Sequence, residues 1–459
     1  MGARMRLARC QDDPAAYTDD RMVNAADART DSTARVYAYF APVTLLLYLV
    51  LPDQYMLDIA TSYMLKNQLH ASATEVSTFR LIIAVPAYLA VVFGFARDLW
   101  SPFGLRDRGH FLLFLPLSAA VFLWLAFSRL SYWRLVFGML LVMVLFRFVA
   151  AAYQGLLALV AQEKLMSGRL SALWNVVQTL PQAGGALAAG YLTELLTPSQ
   201  IFVVVALFTL ALAALGLWKP PAVFSHAYDL PPAQGAGFVA DVRRLLRHRA
   251  IYPPVLIMLM FQFSPGSNTP LQYYLTNELQ ASDTAYAAWY AIFLISFLPM
   301  YLAYGYLCKR VTLKKLLWWG AIIAIPQMLP LALVHTVQSA LLLAVPIGMM
   351  GGVIYAAICD LAMRSCPPGL QGTLMMLVAG AYQLSYRAGD LLGAWIYNAF
   401  PGRGFLYCVL CTTAVYAMIL PVLLFVPERV SGTLDGQPSP ELDAEVRAEI
   451  AAAGAAPVA

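Results

Sequence analysis

Asp53, Asp58, Arg147, Arg387 and Asp390 are charged side chains inside apolar runs long enough to cross a membrane, and they are the residues best placed to do chemistry. Asp53 and Asp58 fall in the first run, Arg147 in the middle of the fourth, and Arg387 and Asp390 in the eleventh. A charge in hydrocarbon costs a few kcal/mol by insertion scales, so such groups face a protein interior or an aqueous cavity and handle protons, ions or charged solutes. Asp53 and Asp58 are roughly 140° apart around a helix and do not share one space. Pro52 frees a carbonyl one turn back and kinks the helix, and Asp53 sits at that kink, leaving Asp58 as the better proton or cation site. A structural role for either is about as well supported. Arg147 stays charged at any ordinary pH and requires a carboxylate from the first helix or an anionic solute. Arg387 and Asp390, at i and i+3, share a helix face. Either they neutralise one another, or the pair opens and Asp390 takes up a proton as the arginine releases it.

Neutral residues extend this set. Tyr153 and Gln154 follow Arg147 on its helix and can line a cavity by hydrogen bonding. In the seventh run, Gln262, Ser264 and Asn268 surround Pro265, Gly266 and Pro270, with Tyr273 beyond. Two prolines and a glycine so close together cannot sustain a helical ladder, and bare backbone in lipid is costly, so this stretch faces a cavity or packs as a kink. Tyr153, Trp174, Tyr273 and Tyr274 could stack on a flat ring. No histidine cluster, metal-ligand spacing, nucleophile elbow or nucleotide loop is present, so neither an enzyme nor a bound metal or cofactor is expected. The Cys408/Cys411 pair reads as small core residues on one helical turn.

The elements that must position these groups are membrane helices. Charged residues are 12% of the chain and apolar ones 61%, where a soluble protein has about a quarter charged. Twelve runs can each cross about 30 Å of hydrocarbon: 39–64, 75–96, 110–128, 133–162, 171–195, 200–218, 252–279, 284–307, 312–334, 339–363, 369–400 and 404–426. They divide the chain into a tail (1–38), a six-helix half (39–218), a basic linker (219–250), a second half (251–426) and a polar tail (427–459) expected to be disordered or loosely helical. With both termini in the cytoplasm, 23 Lys and Arg fall inside and 4 outside, a bias that sets the topology. The halves repeat at an offset of about 211 residues, which implies a solute site between them near the midplane. The predicted partners are a small-molecule solute, protons and the lipid bilayer, with no nucleic acid. The protein is expected to be a monomer in a bacterial inner membrane.

The loop from Gly94 to His110 reads as a cytoplasmic gate. Gly94 permits close helix approach, Asp98 can cap a neighbouring helix N-terminus, and Arg106 and Arg108 can pair with an acid such as Glu163 in one conformation only. The alternative is a solvated loop that only sets topology. Asp360 and Arg364, ending the tenth run, read as further gate residues. This loop resembles the signature between helices 2 and 3 of major facilitator transporters. Ser264 to Leu279, the loop from Lys309 to Trp319 and the Cys366-Pro-Pro-Gly369 turn resemble the folate-biopterin transporter family within that superfamily. The sequence departs from that family's pattern at Ala87, Ala90 and Val91 in the second helix and at Gln371 after the Cys-Pro-Pro-Gly turn. The resemblance implies an all-α, twelve-helix protein of two pseudo-symmetric halves. Such a protein moves a polar organic solute, folate- or pterin-like, by proton-coupled alternating access. The competing expectation is a receptor or assembly factor that reuses the fold without transport.

Overall fold

The computed structural model describes residues 33–52, 57, 61, 64–224 and 238–438, and among them all regular structure is helical. Asp53 and Asp58, the first-helix candidates, lie outside the described residues. The first helix spans Thr33–Val50, beginning before the expected position 39 and stopping two residues short of Pro52, which disfavours helical geometry in the residue before it. The second segment begins with a capping box between Ser72 and Glu75 and is interrupted at Leu89, three residues beyond Pro86, giving Ala73–Tyr88 and Ala90–Leu99. Asp107–Phe127, Tyr132–Glu163, Ser167–Leu195 and Pro198–Leu215 complete the amino-terminal half.

The carboxy-terminal half starts with the broken segment: a helix Tyr252–Gln262, a non-helical stretch over 263–268, a short helix Thr269–Tyr273 and a π-turn Tyr274–Glu278. Asp283–Ile295 with Leu298–Leu307, Leu313–Ala324, Val337–Arg364, Gln371–Ala399 and Gly404–Ala417 follow. The internal repeat is visible in fine detail. The π-turn Met64–Gln68 matches Tyr274–Glu278, the left-handed residue His70 matches Gln280, and the helix cap Ser72 matches Ser282, each pair 210 residues apart.

Nine described segments are both long and apolar enough to cross a membrane. Ser167–Leu195 and Gln371–Ala399, at 29 residues each, have the length but not the hydropathy, because each carries several polar side chains, of which Asn175, Gln178 and Ser385 are buried. The outer surface is apolar instead: Leu391 is 75% and Phe425 78% exposed, the inverse of a protein facing water. The halves meet where Gln371–Ala399 packs on Ala90–Leu99 and Tyr132–Glu163, and where Ser167–Leu195 packs on Asp283–Ile295, Leu298–Leu307 and Val337–Arg364. The polar tail packs against the protein at its start. One helical turn, Glu428–Ser431, buries Val430 and Ser431, and the chain then turns at Gly436 (φ 94°) against the helix ends.

Candidate functional site

Between the halves lies a cavity of about 230 Å³. Arg147, Ala150 and Gln154 present one face of their helix to it, and Trp174, Gln178 and Gln182 one face of theirs. The broken segment contributes Gln262, Ser264, Ser267 and Asn268. Its interrupted backbone is satisfied by neighbours, as burial in a membrane requires. The Gly266 amide donates to Thr412 Oγ1 (3.1 Å), and the Thr269 amide and hydroxyl donate to the two oxygens of Asp390 (2.9 and 3.0 Å). The close fit depends on glycine: a Cβ on Gly393 would lie 2.1 Å from the Pro265 carbonyl oxygen.

The lining is aromatic and amide-rich. Twelve aromatic rings and seven carboxamides surround Arg147, the one charged side chain among the described lining residues, so the cavity suits a flat, hydrogen-bonding solute better than a bare cation. Gln154 Oε1, Gln327 Oε1 and Trp289 Nε1 are buried against it with no hydrogen-bond partner among the described residues. Two acceptors and a donor in that condition favour any ligand that can engage them. Trp289 stacks on Phe293 (5.3 Å, 9° between planes), and Tyr382 on Tyr386 (6.2 Å, 4°), whose hydroxyl bonds Asn268 Oδ1 at 3.1 Å.

Several expected residues are placed elsewhere. Tyr153 is 1% exposed and bonds the Thr44 hydroxyl, joining two helices of one half; it points away from the face that carries Arg147 and Gln154. Tyr273 is half exposed against Tyr397, and Tyr274 stacks on Phe405, so of the four aromatics picked for stacking only Trp174 lines the cavity. Arg387 and Asp390 form no pair. Asp390 caps Thr269, where the broken helix leaves an amide to satisfy, and the Arg387 guanidinium lies over the Tyr386 ring at 5.6 Å. Neither lines the cavity.

One end of the cavity is shut. The Asp98 carboxylate sits at the N-terminus of Gln371–Ala399, accepting from the Gly372 and Thr373 amides (3.1 and 2.7 Å) and the Thr373 hydroxyl (2.6 Å). Gly94 makes this approach possible, since a Cβ there would lie 2.6 Å from the Gly372 carbonyl oxygen. The cation on Asp98 is Arg97 (2.7 Å), which also forks onto Asp107 at 2.5 and 2.7 Å and lies flat across Gly155. Arg97 and Asp107 were not among the expected gate residues, although both lie within the loop from Gly94 to His110. Arg108 does something else: it donates to the carbonyls of Gly216 and Leu217 (2.9 and 3.0 Å), closing the end of Pro198–Leu215 within its own half. Arg106 opens its helix with a left-handed backbone (φ 49°), and Glu163 is exposed at the end of its own.

Further along the same seam, Gln162 Nε2 donates to the carbonyls of Met363 and Cys366 (3.0 and 2.8 Å). Arg364 Nε donates to Asp360 (2.8 Å) and to Ser167 Oγ (2.9 Å), and Asp360 also accepts from the Tyr304 hydroxyl. Ser171 Oγ donates across the halves to the Ala356 carbonyl at 2.7 Å. This last bond is the foot of a buried ladder on one helix face. Gln178, which lines the cavity, donates to Asn175 Oδ1 (2.7 Å), and Asn175 donates to the Ser171 carbonyl (2.8 Å).

A membrane-embedded bundle whose halves enclose a polar, aromatic-lined cavity closed at one end is the architecture of a solute carrier. The sequence signature of the Major Facilitator Superfamily matches residues 43–389 and 256–455. The chain belongs to that superfamily, whose members are transporters and not enzymes. It is 23% identical over 359 residues to a protein of Synechocystis sp. named folate-biopterin transporter, covering 74% of this chain and 71% of that one. Its fold is similar to that of FucP in the outward conformation (TM-score 0.65, 15% identity, 86% of this chain and 99% of that one). It is also similar to a bacterial homologue of the iron transporter ferroportin in the outward-facing state (TM-score 0.61, 16% identity, 85% and 98%). A third similar fold is the human organic anion transporter MFSD10 (TM-score 0.60, 16% identity, 85% and 98%).

Proposed function

We propose that this protein is a secondary transporter that carries a flat heteroaromatic solute, folate- or pterin-like and bearing negative charge, by alternating access. The observation that carries this reading is the lining: stacked rings and amides around the Arg147 guanidinium. Rings take the faces of a bicyclic solute, carboxamides its donor and acceptor edge, and Arg147 an anionic group. The Synechocystis relative, named folate-biopterin transporter, supports the same class. Protons drive the cycle, with Asp53 and Asp58 of the first apolar run as candidate carriers. The closed seam at Asp98, Gln162, Ser171 and Arg364 is the cytoplasmic gate, and both termini lie on its side. The protein acts as a monomer in a bacterial inner membrane.

The test is uptake of radiolabelled folate and of a small pterin into vesicles holding the purified protein, with and without an inward proton gradient. Saturable uptake that the gradient accelerates and a protonophore collapses is expected. No uptake of either solute, together with no thermal stabilisation by them, overturns the substrate assignment; uptake indifferent to the gradient overturns the coupling.

A further inference from the structure

Asp435 belongs to no membrane helix, yet it is bonded to both halves. Its carboxylate accepts from the Gly168 amide (2.9 Å) and from Arg169 Nε (2.6 Å), both in the amino-terminal half. Its own amide donates to the Cys308 carbonyl (3.0 Å), at the end of Leu298–Leu307 in the other half. Two residues earlier, Thr433 accepts from Arg364 through its carbonyl (3.0 Å) and hydroxyl (3.3 Å), and Arg364 is itself bonded to Ser167 across the seam. Upstream, Lys314 pairs with Glu428 at 2.6 Å, and the turn Glu428–Ser431 packs on Leu313–Ala324 and Val337–Arg364 of the carboxy-terminal half. The site is built for close contact: a Cβ on Gly168 would lie 2.7 Å from Cys308 Cβ and 3.0 Å from Asp360 Oδ2. The Asp435 side chain is wholly buried in its pair with Arg169. Any motion that parts the halves at this end separates Gly168 and Arg169 from Cys308, and Asp435 can then stay with only one of them.

We infer that residues 427–438 form a strap of the gate, hinged on the carboxy-terminal half at Glu428 and latched to the amino-terminal half through Asp435, and that unlatching is a step of opening. Asp435 is thus a positioning residue for the transport cycle, acting through Gly168 and Arg169 and not on solute. This rests on the alternating-access reading but on no particular solute.

Its test uses none. The full chain in lipid nanodiscs is treated with a water-soluble maleimide, and labelling is read by peptide mass spectrometry at two places. One is native Cys308, buried beneath the strap. The other is a cysteine replacing Asn268 in the cavity. In Asp435→Ala, Cys308 is expected to react about tenfold faster while the cavity cysteine reacts severalfold more slowly, because the population has moved toward the state open at the strap end. Arg169→Gln removes the partner on the opposite half and is expected to reproduce both changes, which keeps the test available if the first variant gives poor yield. Faster Cys308 labelling with an unchanged cavity cysteine means that the segment only covers the surface, and overturns the inference. Unchanged labelling at both places in a well-folded variant also overturns it. Absence of folate or pterin uptake by the unmutated protein counts against the solute assignment and leaves these labelling outcomes, and so the test of the strap, unaffected.

Discussion

Asp98 and Thr373 meet across the two halves, the carboxylate of one accepting both the amide and the hydroxyl of the other at 2.7 and 2.6 Å. The Asp98 side chain is fully buried and its charge is held by Arg97 on one side and by a helix N-terminus on the other. Asp98→Asn keeps the size but places a donor where two acceptor sites were used. Transport is expected to fall about tenfold with yield largely retained, since Arg97 keeps Asp107. Arg108→Ala is the contrast: it unbinds two terminal carbonyls within one half and is expected to lower thermal stability by about 1 kcal/mol while transport per molecule stays within twofold. Uptake normalised to folded protein separates the two, and equal losses in both variants refute the assignment of Asp98 to the seam.

Asp390 is a structural cap in a place where sequence spacing pointed to Arg387. Asp390→Leu strands the Thr269 amide in the break of the seventh segment, and a buried unsatisfied group costs about 1–3 kcal/mol. A clear drop in melting temperature is expected for it, and little change for Arg387→Gln, whose guanidinium only lies over Tyr386. Equal destabilisation in the two variants is the outcome that restores the ion pair.

How much of this was legible follows from which features are local. Apolar runs, the basic-residue bias and the Pro265-Gly266 and Pro270 breakers act through chain-local physics, so the helices and the broken segment could be read directly. Gly94 could be read as a point of close helix approach one turn before Asp98, and the position a Cβ would take there, against the Gly372 carbonyl, agrees. The facing of single residues could not: Tyr153 is next to Gln154, and a 100° turn sends it to Thr44 instead of the cavity. Which arginine serves the seam depends on the turn at Pro102–Gly104, which folds Asp107 back onto Arg97. Asp435 is 267 residues from Gly168, and no periodicity relates them. One signal was available and unused: Trp289, Phe293, Phe297 and Tyr301, spaced by four, put a continuous aromatic stripe on one helix face, and all four line the cavity.

The polar ladder predicts that the solute site and the gate communicate. Ser171→Ala deletes one hydrogen bond between the halves, worth about 1 kcal/mol net, and so shifts the gate equilibrium roughly fivefold. A cysteine replacing Ser267 in the cavity is expected to label more slowly in that background, and Asn175→Leu, which cuts the link between Gln178 and Ser171, to do the same while also weakening solute binding. If Asn175→Leu changes binding and leaves the labelling rate alone, the ladder only shapes the cavity.

Acidity should tighten the strap. Burial, reinforced by the nearby Asp360 charge, holds the docked Asp435 carboxyl above its ordinary value, and outweighs Arg169 and the hydrogen bonds that oppose it. Arg364, Cys308 and Tyr37 are the other ionisable groups around it. A carboxyl whose pKa rises on docking binds its proton more firmly docked than free. The gain in docking is therefore complete below the free value, near 4, and is lost as pH rises through the docked value. A fluorophore on a cysteine replacing Gln437, quenched by a partner on the amino-terminal half, reads the docked fraction without solute. The docked fraction is expected to increase as pH falls toward 4 in the native chain and to stay flat in Asp435→Asn, which cannot titrate. A docked fraction that rises with pH reverses the sign and means that the ion pair with Arg169, and not burial, governs the latch.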